Sequence, residues 1–143
     1  MANATVLYVV PADEQVRAAL EERVSDFGAE VSGNPERVGE VAEIELEDCD
    51  DPIDDLDEIV TILKQGGVPY FGRTGSFTER SRGLRCEARM LLSGFGVELT
   101  KNFPWSEGEP EFDERSMRIA GFDEGHISAA MSLFLTSSPA PKI

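Results

Sequence analysis

Apolar and polar positions alternate along the chain in patterns that separate strands from helices. Ala4 to Val10 (ATVLYVV) is a short β-branched apolar run, the signature of a buried strand, and Pro11 ends it. From Asp13, a good N-cap, apolar residues recur at Val16, Ala19, Leu20, Val24 and Phe27. That spacing draws one helical stripe, with Gly28 at the C′ position. Ala29 to Val31 reads as a brief second strand before the turn Ser32-Gly33-Asn34-Pro35. In Glu40 to Glu47 (EVAEIELE), Ala42, Ile44 and Leu46 point one way and Glu43, Glu45 and Glu47 the other, which predicts a strand with one wet face.

The next helix has the clearest local signals. Asp51 is placed to cap it, Pro52 suits its first position, and Leu56, Ile59, Val60 and Leu63 form the buried stripe. Lys64 falls in the last turn and Gly66-Gly67 stops it. Val68 to Phe71 reads as a strand at a sheet edge because of Pro69, so strand, helix and strand make a βαβ unit. Gly72 to Gly83 reads as a polar loop, Arg85–Leu92 and Val97–Lys101 as a hairpin, and Asn102 to Pro110 as loop. Ser116 to Ala120 is assigned to a strand, and Asp123 caps a last helix with the stripe Ile127, Ala130, Met131 and Phe134. The resulting expectation is an α+β or small α/β fold: a single compact domain over 1–136 with a mixed sheet and about three helices. Residues 137–143 form a flexible tail.

Composition narrows the function classes. The chain has 143 residues, 41% hydrophobic and 29% charged, which places it among single globular domains. Its apolar runs are too short to span a bilayer, and Met1-Ala2-Asn3-Ala4 has neither the basic region nor the apolar stretch of a secretory leader. Cys49 and Cys86 are too few for a disulfide scaffold, so the expected compartment is a reducing cytoplasm. With 28 acids against 13 bases, the net charge of −15 argues against direct nucleic-acid binding and against anionic membrane surfaces.

The position of that charge matters more than its sum. No base occurs between Arg37 and Lys64, and Glu40 to Glu58 holds eleven acids in nineteen residues. Strand residues two apart lie about 6.6–6.8 Å apart on one face, so Glu43, Glu45 and Glu47 form a carboxylate row. On the following helix Asp54, Asp55, Asp57 and Glu58 avoid the apolar stripe and face water. One bland explanation is a solvated surface that aids solubility; another is adaptation to high salt, consistent with ten arginines against three lysines. The sharper one is an interface for a basic protein surface, a coarse mimic of nucleic acid, with fast association and strong salt dependence. Small size, high acidity and an α/β layout are similar in kind to accessory proteins of phages and plasmids that block host enzymes, with no alignable motif.

Other chemistry is thin. Asp48, Asp50 and Asp54 lack the glycine and glutamate of a calcium loop, whose places hold Ile53 and Ile59, so no metal is expected. Arg73, Arg80, Arg82, Arg85 and Arg89 with Gly72, Gly75 and Gly83 make a basic segment. Within it Gly72-Arg73-Thr74-Gly75-Ser76 can form a backbone nest for an anion, with Arg73, Arg80 and Arg82 as its cations. The alternative to a binding protein is therefore an anion-binding enzyme or sensor built on 72–89. Against that stands neutralisation of the acidic unit, within the fold or across a homo-oligomer. His126, the single histidine, sits near where a helix begins and reads as a surface or capping residue rather than a base, and no nucleophile or cofactor motif is present. These residues point to a non-enzymatic acidic binding or inhibitor protein without a cofactor.

Overall fold

The computed structural model describes residues 2–33, 35–46, 52–80, 83–94, 97–104 and 111–135. Glu47, Cys49, Arg82 and the 137–143 tail lie outside them, as do the side chains of Asp54, Arg80 and Cys86. Among the described residues six strands form one sheet: β1 (Ala2–Val9), β2 (Glu30–Ser32), β3 (Val41–Leu46), β4 (Tyr70–Arg80), β5 (Gly83–Gly94) and β6 (Val97–Pro104). Their order is β2-β3-β1-β4-β5-β6, and every neighbouring pair is antiparallel. Four helices among the described residues accompany them: α1 (Glu14–Phe27), α2 (Pro52–Gln65), α3 (Glu114–Ala120) and α4 (Glu124–Ala130), the last running into a π-helical turn at Met131–Leu135. The chain is thus an α+β domain.

The expected mixed sheet is corrected in one respect. β3 and β4 both run antiparallel to β1, which lies between them, so they are parallel to each other without touching. The βαβ unit exists as β3-α2-β4, but with β1 inserted between its strands. Other assignments also change: β4 lies between β1 and β5 rather than at a sheet edge, and residues 102–104 end β6 rather than belonging to a loop. Gly72–Arg80 is strand rather than loop, paired with β5 along all 11 residues of β4. Ser116–Ala120 belongs to α3, because Asp113 accepts a hydrogen bond from the Ser116 amide at 2.8 Å and starts a helix there.

The alternation of β1 sorts the core into two clusters. Val6, Tyr8, Ile44 and Leu46 meet α1 and α2 through Leu20, Val24, Leu56, Ile59 and Leu63. Leu7, Phe71, Met90 and Leu92 meet the opposite layer through Met117, Phe122, Ile127 and Phe134. Each helix therefore buries one apolar stripe against a sheet that is apolar on both sides. On the second face Phe71 sits edge-on to Phe112 at 4.8 Å between centroids and lies 5.9 Å from Phe134. This aromatic group fixes the π turn over β1 and β4. The helix ends match the sequence signals: Asp13 and Asp123 cap α1 and α4 with hydrogen bonds of 2.8 Å, and Gly28 closes α1 with φ +64°.

Candidate functional site

The strand carboxylates and the helix carboxylates do not share a surface. Ala42, Ile44 and Leu46 are buried under α1 and α2, so the pleat turns Glu43 and Glu45 to the opposite face. α2 packs on the first face through Leu56, Ile59, Val60 and Leu63, and carries Asp55, Asp57 and Glu58 with it. The thickness of the sheet thus separates the two groups.

The helix acids are also engaged within the fold. Asp57 Oδ1 lies 3.4 Å from Arg89 Nη1 of β5, and Glu58 Oε1 lies 3.4 Å from Arg23 Nη1 of α1. Both contacts join neighbouring elements of the first face. Neutralisation of the acidic unit, one sequence-level account of the arginines, takes this form at Arg89.

The second face is different. Ladder register places Glu45 directly between Glu30 of β2 and Thr5 of β1, and Glu43 between Ser32 and Leu7. Among the described residues no ion pair involves Glu30, Glu43 or Glu45. The α3 helix and the π turn lie over β1, β5 and β6, which leaves Glu43 and Glu45 half-buried at the side of the β2–β3 edge. Like charges directly opposed across a ladder destabilise it. Glu30, which the sequence reading passed over, completes the group because β2 pairs with β3.

Gly72 to Ser76 does not form an open anion nest. It is central strand, paired with β1 on one side and β5 on the other, so its backbone amides serve the sheet. Arg73 is only 13% exposed; its guanidinium carbon lies 4.4 Å from the Phe112 centroid and Nη1 lies 3.3 Å from Glu111 Oε2. Its charge is stacked and ion-paired inside the second layer. His126 Nδ1 lies 3.0 Å from Asp123 Oδ2 while its amide donates to Asp123 Oδ1, so it belongs to the α4 cap.

Two clefts flank the β2–β3 edge, one on each face. The first, of about 510 Å³, lies against α1 and has Tyr8, Leu20, Val24 and Val31 among its walls, with Arg17 at its rim. Arg17 is pinned there by hydrogen bonds of 2.8 Å to the carbonyls of Pro11 and Ala12. The second, of about 680 Å³, lies between β3 and the π turn and is walled by Leu7, Val41, Phe112, Leu133 and Phe134, with Glu43 also in its lining. No sequence periodicity announced it, since the stripe through Met131 and Phe134 fits an ordinary helix equally well. Among the described residues no cluster of three or more His, Cys, Asp or Glu side chains is placed to hold a metal ion, and no helix is long and apolar enough to cross a membrane. Comparisons with protein-family models, with curated proteins and with solved structures gave no match.

Proposed function

We propose that the protein is a non-enzymatic acidic binding protein of the inhibitor type, and that it engages a basic protein surface through the second face of its β2–β3 edge. The seven carboxylates expected from the sequence reduce to a smaller group in this reading: Glu43 and Glu45, joined by Glu30. The observation that carries it is the direct opposition of Glu30 and Glu45, beside Glu43, with no ion pair to any of them among the described residues. A basic partner relieves that repulsion on binding, and the net charge of −15 speeds its approach. Asp57 and Glu58 have a different role, holding α2 to β5 and α1 through Arg89 and Arg23.

The test separates the two groups. Immobilised protein is used to capture partners from a native lysate at low and high salt. Capture is expected to disappear with the double change Glu43→Lys and Glu45→Lys and to weaken steeply with salt. It is expected to persist with Asp57→Asn and Glu58→Gln. Capture that survives the strand changes, or is indifferent to salt, rejects the reading.

A further inference from the structure

The cleft between β3 and the π turn combines three features. Leu7, Val41, Phe112, Leu133 and Phe134 give its walls an apolar part, beside the polar Ser32, Glu40 and Ser132. Glu43, a half-buried residue, lines it and takes part in no ion pair among the described residues. One wall is the Met131–Leu135 π turn, a backbone form that is rare and occurs frequently at functional sites. At about 680 Å³ the cleft falls in the size range of sites that enclose a ligand group rather than a water.

Charge decides what kind of group fits. A carboxylate without an ion-pair partner attracts a cation, and apolar side chains beside it weaken the screening of that attraction by water. Glu40, which also lines the cleft, is already paired with Arg37 at 3.0 Å, so Glu43 is the lining carboxylate left for an incoming charge. Apolar walls in turn reward an apolar body next to that charge, by the area it removes from water.

We propose that this cleft is the anchor site for the basic partner: it takes an apolar side chain flanked by arginine or lysine on a protein segment. The apolar group enters between Val41, Leu133 and Phe134, and a flanking cation meets Glu43. This inference rests on the acidic-edge reading and adds to it the chemistry of the anchoring residue. Charge alone holds a surface loosely; a buried anchor gives it a register and a slower release.

Two capped, fluorescently labelled peptides of equal charge test it, Lys-Arg-Phe-Arg-Lys and Lys-Arg-Ser-Arg-Lys, titrated by anisotropy at low salt. The phenylalanine peptide is expected to bind at least about tenfold more tightly, the effect of burying one apolar side chain. Ser32→Trp, at a position exposed on the cleft wall opposite Glu43, fills the space without altering charge and is expected to erase that preference. Methyl signals of Leu7, Val41 and Leu133 are expected to move with the phenylalanine peptide and not with the serine one. Its circular dichroism and melting temperature establish that the Ser32→Trp protein is folded. Equal affinity for the two peptides, or a preference that survives Ser32→Trp, overturns the anchor site. If binding of both peptides is equal but lost with Glu43→Lys and Glu45→Lys, the acidic edge stands and the cleft falls. If neither peptide binds, both fall.

Discussion

Glu30 of β2 stands directly opposite Glu45 of β3, on the side of the sheet away from α1 and α2. Two carboxylates in facing positions weaken the ladder they belong to. Glu30→Lys replaces the repulsion with attraction and is expected to stabilise the fold by roughly 0.5–1 kcal/mol. That raises the melting temperature by about 2–4 °C. The gain is expected to shrink in concentrated salt, which screens a pair so close to solvent. The same change is expected to weaken capture of a basic partner. A Glu30→Lys protein that is no more stable than the parent at low salt contradicts the account of this pair.

Thr5 is the residue on the other side of Glu45, wholly buried, and its Oγ1 finds no hydrogen-bond partner among the described residues. A hydroxyl in that position loses its hydration without compensation. Thr5→Val keeps the shape and removes the polar atom, and is expected to stabilise by about 1 kcal/mol in chemical denaturation. Thr5→Ser keeps the hydroxyl, sheds a methyl group and is expected to destabilise. Equal losses in the two variants indicate a hydroxyl that is satisfied in solution.

Tyr8 and Tyr70, the two tyrosines of the chain, are both buried, and burial pushes both phenols above their ordinary pKa. The folded state holds them neutral, while the unfolded chain releases their protons near pH 10. Their contribution to stability is therefore complete below that pH and is lost as the pH rises toward the folded-state values. An alkaline titration is expected to show tyrosinate absorbance and loss of circular dichroism rising together. Tyrosinate forming near pH 10 with the fold intact defeats the expectation.

Much of this architecture was written locally. Asp13, Gly28 and Asp123 delimit helices by their own chemistry, and the alternation of Ala42, Ile44 and Leu46 with glutamates sorted the two sides of β3 correctly. What alternation cannot give is the side of the sheet that the following helix covers. α2 packs over Ala42 and Ile44, so its acids parted from those of β3 even though the two sets are close in sequence. β4 was illegible for a related reason. Its glycines and polar residues resemble a loop, yet at Gly72 an added Cβ would stand 3.3 Å from Leu91 Cδ1, so the neighbouring strand fills the space a side chain would take. Arg73 looked available for a ligand because its stacking partner, Phe112, lies 39 positions further on.

The strand at the middle of the sheet is also the earliest in the sequence, and its partners β3 and β4 arrive on either side of α2. During synthesis β1 must wait for Val41–Leu46 before one flank is satisfied and for β4 before the other. Until then its apolar faces and free hydrogen-bonding edges stay open to whatever is near. Assembly of the domain is therefore governed by long-range closure, and a chain interrupted before residue 70 leaves its central strand half-paired.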